Sequence, residues 1–319
     1  MINLYWPVYK NLERAVLDMA EYIHFDDMQS KTYSMKIGDL IVRCAVEIES
    51  IVKELYLSEG GNANLKDEND NNRDLYFDTD CIEFLNQKWS ICSKKIMVAA
   101  TNFYFTEERF KTLMPLYKAN KRGSSGSKWK QAYQKVKHDR KNQLKYANIE
   151  NLIQSLGALF ILNIYYKNEC VELETGVSKW RFDEGCGSDI FSVYVCDATQ
   201  MAISGEACDD SIQDTEKSKI IESIYVIKYS DDSLNEMRKE FDNANKKLVE
   251  ELITSPKVKK YLQENTSYKV TNLLQLCADA GVENILLNKF ARATFQEMQK
   301  AKREAVLCKG LPIYHIENK

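Results

Sequence analysis

Trp129-Lys130-Gln131-Ala132-Tyr133-Gln134-Lys135-Val136-Lys137-His138-Asp139-Arg140, followed by Lys141-Asn142-Gln143-Leu144-Lys145-Tyr146-Ala147, is the stretch on which the fold turns. On a helix advancing about 100° per residue, Tyr133, Val136, Leu144 and Ala147 fall within about 60° of Trp129 and define an apolar stripe. One helix is therefore expected from 129 to 147. On it Arg140 lies about 20° from Trp129, inside the stripe, and His138 lies about 180° away, among Gln131, Gln134, Lys141, Asn142 and Lys145. A buried guanidinium is costly without an acceptor. Arg140 is accordingly expected to be a structural ion-pair partner, with Glu47 as its first candidate and Arg43 one turn before that carboxylate.

Helical periodicity extends outward on both sides. Val8, Leu12, Ala15, Met19 and Ile23 recur at helical spacing. A longer helix is expected from about Thr32 to Leu57, with Ile37, Leu40, Ile41, Cys44, Ile48, Ile51, Val52 and Leu55 on one face. Gly60-Gly61-Asn62 ends it, a polar loop follows to Asp74, and shorter helices are expected around Cys81–Lys88 and Glu107–Tyr117. Arg122-Gly123-Ser124-Ser125-Gly126-Ser127 reads as a loop by composition. Downstream, Leu152 to Tyr166 is an apolar run of 15 residues. That is short of the roughly 18 a bilayer span requires, so it is expected to be a buried core helix.

From residue 170 the pattern changes. Asp189-Ile190-Phe191-Ser192-Val193-Tyr194-Val195 and Ser223-Ile224-Tyr225-Val226-Ile227-Lys228-Tyr229 have the β-branched and aromatic content of short strands. The polar segment Ala198 to Lys219 between them reads as a loop. Helices are expected at about Leu234–Thr254, Lys257–Gln263, Thr271–Ala280 and Glu283–Leu307, with a closing strand at Leu311–Ile316. The expected class is mainly α: a helical bundle over residues 1–168, then a small α+β region over 169–319, of unassigned role, with a few short strands and C-terminal helices.

Hydrophobic residues make up 44% of the 319 and charged residues 29%, with 4 prolines and 12 glycines, the mix of a folded globular chain. No leader-like segment begins the sequence and no membrane partner is expected. The 9 cysteines form no C-x-x-C pair, so neither a zinc ribbon nor a closed disulfide framework is suggested. Cys170, Cys186, Cys196 and Cys208 are close in sequence, but their spacing is unlike zinc patterns. A reducing, cytoplasmic setting suits so many thiols, and no metal or cofactor is expected.

The net charge of −3 hides an asymmetry: residues 1–168 carry 24 Lys+Arg against 21 Asp+Glu, and the remainder 20 against 26. Residues 118–145 hold ten basic residues and a single acid, Asp139. Lysine-rich helices are often only solvated faces. This one is lopsided enough, with Tyr133 and Tyr146 available for stacking, to suggest phosphate-backbone binding through Arg122, Lys128, Lys130, Lys135 and Lys145. His138, one of 3 histidines, lies on that face. Histidine is the natural acid or base near neutral pH, and the lysines Lys137 and Lys141, with Arg140, are candidates to stabilise a phosphorane-like transition state. The chemistry implied is metal-independent RNA cleavage, in which a deprotonated 2′-OH attacks the adjacent phosphate. A solvent-exposed histidine in a charged helix fits the same pattern. His24 and His315 belong to no motif. Asp209, Asp210, Asp214 and Glu216 suggest a metal, a basic partner or simply a polar loop, and the acidic second half is a candidate shield for the basic face.

The segment from Trp129 to Arg140, with Ala147-Asn148-Ile149-Glu150-Asn151-Leu152 and Ala158-Leu159-Phe160-Ile161-Leu162 after it, resembles the HEPN domain family. Glu47-Ile48-Glu49-Ser50-Ile51-Val52-Lys53-Glu54-Leu55-Tyr56 is similar to the acidic second helix of such proteins, and the resemblance covers about residues 8–167. It implies a helical bundle that forms a homodimer, with polar motifs facing a shared cleft, RNA as partner, and a role as an endoribonuclease in bacterial antiviral defence or toxin–antitoxin systems. Other members only bind nucleic acid or a regulatory protein partner. The nuclease members carry R-x(4–6)-H, whereas positions 131–133 here are Gln131, Ala132 and Tyr133, and the local order is lysine-histidine-aspartate-arginine. Lys135, Lys137 and Lys141 are the available substitutes, without the bidentate fork of arginine.

Overall fold

The computed structural model describes residues 3–173, 175, 182–199, 214–267, 273–282, 292, 295–311 and 313. The fold is mainly helical with a few short strands in small sheets. Two compact units are present. One comprises residues 1–171, 182–228 and 305–319, the other 172–181 and 229–304. The sequence boundary at 168/169 falls near one junction, and residues 182–228 return to the first unit.

The first unit is built on α1 (Tyr5–Ala20), α2 (Met35–Ser58), α5 (Lys128–His138) and α7 (Ile149–Lys167); α3 (Glu83–Trp89), α4 (Glu108–Lys111) and α6 (Arg140–Gln143) are short. Ser34 caps α2 by accepting the Ile37 N–H at 3.2 Å. From there Ile37, Leu40, Ile41, Cys44, Ile48, Ile51, Val52 and Leu55 are buried on one face. Asn148 caps α7 by accepting the Asn151 N–H at 3.0 Å, and Asn168 ends it in the left-handed region at φ 49°.

α7 is the central element, packed against α1, α2 and α5. Its residues from Leu152 to Tyr165 are buried except Gln154, which explains why this run is apolar on every side. Gly157 lets a strand approach it: a Cβ there would stand 2.7 Å from Ile96 Cδ1 and 3.0 Å from Pro115 Cγ. Truncating one fully buried leucine of α7, such as Leu159, is expected to cost about 2–5 kcal/mol.

The strand Ile96–Val98 pairs antiparallel with Thr112–Leu113 on one side and with Phe191–Val193 on the other. Val195–Asp197 pairs in parallel with Tyr225–Ile227. The segment carrying residues 188–190 is tied to α1 by one buried carboxylate. Glu13 accepts bonds from the Tyr9 hydroxyl at 2.8 Å, the Asp189 N–H at 3.0 Å, the Ile190 N–H at 3.2 Å and the Ser188 hydroxyl, while Lys10 neutralises it. A buried charge with this many donors is compensated.

In the second unit, Ser230 caps the helix Asp231–Thr254, and Pro256 opens the helix Pro256–Glu264 at a position where its missing N–H costs nothing. Leu248, Leu252 and Cys277 form its small buried cluster.

Several local expectations are corrected. The single helix expected over 129–147 is broken at Asp139, which adopts φ −146°, ψ 65°. Its carboxylate accepts the Asn142 N–H at 3.3 Å and the Asn142 side-chain amide at 3.0 Å, so it starts α6 instead of continuing α5. The helix expected at Glu107–Tyr117 shrinks to α4 and turns into strand at Thr112. Residues Asp214–Glu222, which overlap the end of the expected loop, are helical, and Arg303–Leu307, within an expected helix, is a strand. Cys208, Asp209, Asp210, His315, residues 283–291 of that helix and most of the expected closing strand lie outside the described residues. Among the described residues, no helix is long and apolar enough to cross a membrane.

Candidate functional site

The helix break redistributes the predicted site residues. Arg140 now sits on α6, and its guanidinium bonds Asp39 at 2.9 Å, both side chains being substantially exposed. Glu47 is two turns further along α2, half-buried, and Arg43 is exposed; neither forms an ion pair among the described residues. The expected Arg140–Glu47 pair is thus replaced by Arg140–Asp39. The meeting point is fixed by Gly38, where a Cβ would stand 3.4 Å from Ala147 Cβ and 3.6 Å from Val136, close enough that α2 and the chain after α5 nearly touch.

Lys130, expected on the nucleic-acid face, is only 4% exposed. Its ammonium donates to Asp78 Oδ2 at 3.1 Å, to the Ala119 carbonyl at 2.8 Å and to the Lys121 carbonyl. Burial lowers the Lys130 pKa, while Asp78 opposes that shift without cancelling it. For Asp78 burial works the other way from its partners, and the Thr79 N–H, Lys130 and Arg122 together hold its carboxyl below the ordinary range. Lys130 is a structural cation, and its expected role on RNA is withdrawn.

Arg122 does double duty. Its Nε donates to Asp78 Oδ1 at 3.0 Å, and its guanidinium lies 3.7 Å from the Tyr76 ring centroid. These groups form one end of a cleft of about 680 Å³. Leu75, Tyr76 and Phe77 give it an apolar side; Lys53 and Glu49 come from α2, and Gln134 and Lys135 from α5. Lys135 stands 3.5 Å from the Tyr146 ring, and its hydrogen bond, then its charge, hold the Tyr146 phenol below its ordinary pKa. The cleft therefore combines cations with aromatic surface, in a size range that suits a small ligand or a nucleotide.

His138 does not line this cleft. It is exposed at the last turn of α5, one turn beyond Gln134 on the same helical face, and has no hydrogen bond or ion pair among the described residues. Lys137 is occupied by the Tyr133 hydroxyl at 3.2 Å, whose hydrogen bond raises its pKa. Lys141 and Lys145 are exposed, and Lys128 lies 3.6 Å from Glu150 with its side chain 81% exposed. Of the predicted residues, the structure gathers Arg122, Lys130 and Lys135 at one cleft, and leaves His138, Lys141 and Lys145 on open surface.

Lys53, Tyr76 and Asp78 were missed. Their segments are far from 118–145 in sequence, so no local pattern links them. Nothing local to residues 122–130 marks Lys130 as buried, since Lys128, two residues before it on the same helix, is 81% exposed. Among the described residues, no group of three or more His, Cys, Asp or Glu gathers as a metal site. No protein-family model, no curated protein and no solved structure matches this chain.

Proposed function

We propose that this chain is a HEPN-like protein that binds single-stranded RNA along the cleft between α2 and α5. The carrying observation is the cleft itself: Lys53 and Lys135, with Arg122 held by Asp78, stand around Leu75, Tyr76 and Phe77. Cations spaced along a groove with aromatic surface suit a phosphate backbone and unstacked bases. The cations favour the phosphate backbone, so the binding is backbone-directed and salt-dependent.

A second reading keeps a catalytic role for His138, and one observation favours it. Its imidazole is exposed and uncommitted, one turn from the cleft, whereas Lys137 and Arg140 beside it are engaged. In that reading His138 takes the 2′-OH proton, the oxygen attacks the adjacent phosphorus, and the 5′-oxygen leaves with a proton. The products are a 2′,3′-cyclic phosphate and a 5′-hydroxyl. One imidazole serves poorly as both base and acid at once, so this reading requires a homodimer that brings two His138 side chains to one strand, as in a bacterial defence or toxin-type ribonuclease.

The test is RNA degradation by purified protein in EDTA, with parallel binding, for wild type and His138→Ala. Binding by both without cleavage leaves the RNA-binding protein. Cleavage with cyclic ends that is lost in His138→Ala adds the ribonuclease. Absence of RNA binding by wild type rejects both and points to a protein partner.

A further inference from the structure

A second cleft, of about 480 Å³, opens on the other side of the Gly123–Ser127 turn, where α5 begins. Its lining includes Ser127, Lys128, Arg109, Lys118, Tyr117 and Glu150. Ser127 occupies the cap position of α5, yet its hydroxyl makes no capping bond. Its Oγ is fully buried and has no hydrogen-bond partner, and the residue is 8% exposed. An orphaned buried donor is an exception that needs an explanation, and a ligand's acceptor supplies one here. The first-turn N–H groups of α5, an 11-residue helix, have no carbonyl of their own and carry the positive end of its dipole.

Three cations, Arg109, Lys118 and Lys128, and one carboxylate, Glu150, line it; Arg109 is paired with Glu107 at 2.6 Å and Lys128 lies 3.6 Å from Glu150, which leaves Lys118 without an ion pair among the described residues. Glu150 is already ion-paired with Lys31, so its charge is compensated from outside the cleft. The turn itself is held in shape. Gln131 donates to the Gly126 carbonyl at 2.7 Å and the Ser124 carbonyl at 3.2 Å, and a Cβ on Gly126 would meet the Lys121 carbonyl at 2.8 Å. Tyr117, 54% exposed, adds an aromatic wall.

We propose that this cleft is a phosphomonoester site that takes the 5′-phosphate of a nucleotide. The phosphate oxygens accept from the α5 N-terminus and from the Ser127 hydroxyl, which turns out of its buried position to meet them; Lys118 and Lys128 balance the charge, and the base lies against Tyr117. The site shares Ser124 and Gln131 with the cleft of the proposed function but none of that cleft's cations, so either can fail alone.

The test is calorimetry on the full chain with inorganic phosphate, adenosine 5′-monophosphate, adenosine, and one oligoribonucleotide carrying a 5′-phosphate or a 5′-hydroxyl. Adenosine 5′-monophosphate is expected to bind at least about tenfold more tightly than adenosine. Ser127→Asp, which offers a good helix-capping side chain and places a carboxylate where the phosphate sits, is expected to abolish that difference; Ser127→Ala, which removes no capping bond, should weaken binding with an unchanged melting temperature. Tighter binding of the 5′-phosphorylated RNA identifies the source as an RNA end. Preference for the free nucleotide with no difference between the two RNAs identifies a mononucleotide site. Equal affinity for adenosine and its monophosphate, with no gain from an RNA 5′-phosphate, overturns the proposal. Unchanged phosphate binding in Ser127→Asp also overturns it. RNA binding that is indifferent to its 5′ end leaves the proposed function standing while this site fails.

Discussion

The two ends of one basic segment behave oppositely. At its start, Arg122 and Lys130 converge on Asp78, with Lys130 buried and its ammonium bonded to two carbonyls as well. At its end, His138 stands exposed just before a helix break, and Lys141 and Lys145 stand exposed beyond it. Ten cations in sequence therefore do not make ten cations available to a ligand. A run of positive charge is a count of side chains; the electrostatic footprint is set by how many remain unpaired after folding.

The sharpest way to break this comparison is to remove one cation from each end. Lys130→Ala leaves Asp78 buried with a single cationic partner and two carbonyls without a donor. Unfolding in urea is expected to show a loss of about 3–5 kcal/mol. Lys141→Ala, at the exposed end, is expected to fall within about 0.5 kcal/mol of wild type. Equal losses at both ends would erase the distinction.

Acid sharpens it further. The Asp78 pKa is held below its ordinary value, so its contribution to stability is fully present above the unfolded carboxyl value of about 3.9 and is lost as pH falls through the folded value. Wild type should lose stability below about pH 4. Asp78→Asn, though less stable at neutral pH, should show a shallower loss over that range. Parallel pH profiles for the two proteins would show that Asp78 gains nothing from its partners.

The smallest effect belongs to the surface pair. Arg140→Ala breaks a bond to Asp39 between two substantially exposed side chains, and thermal or urea unfolding should register only about 0.5 kcal/mol. A loss as large as that of Lys130→Ala would mean that Arg140 is the buried structural cation that an unbroken helix implies.

The helical class was legible because α2 and α7 carry strong, opposite signals: a one-sided stripe in the first and an all-round apolar run in the second. The strands at Phe191–Val193 and Tyr225–Tyr229 were also visible, from β-branched and aromatic content. The site was only half legible. Periodicity ran straight through Asp139, because a helical wheel is blind to an aspartate that prefers to cap the next turn, although Asp139 with Asn142 three residues on is the pattern of such a cap. That one break moved Arg140 from Glu47 to Asp39. The burial of Lys130 was invisible for a different reason: its acceptors, Asp78 and the Ala119 and Lys121 carbonyls, come from segments with no pattern in common with α5. The counterpart on α2, Lys53, reaches the cleft through tertiary packing alone.

The most direct measurement is fluorescence anisotropy of a labelled single-stranded oligoribonucleotide titrated with wild type and with Lys53→Glu and Lys135→Glu, in EDTA over a range of salt. These positions line the cleft without taking part in the Asp78 network. The account predicts salt-dependent binding by wild type, weakened about tenfold by each charge reversal, with a shallower salt slope and unchanged folding. Binding that is absent in wild type, or that both variants retain in full, would contradict it.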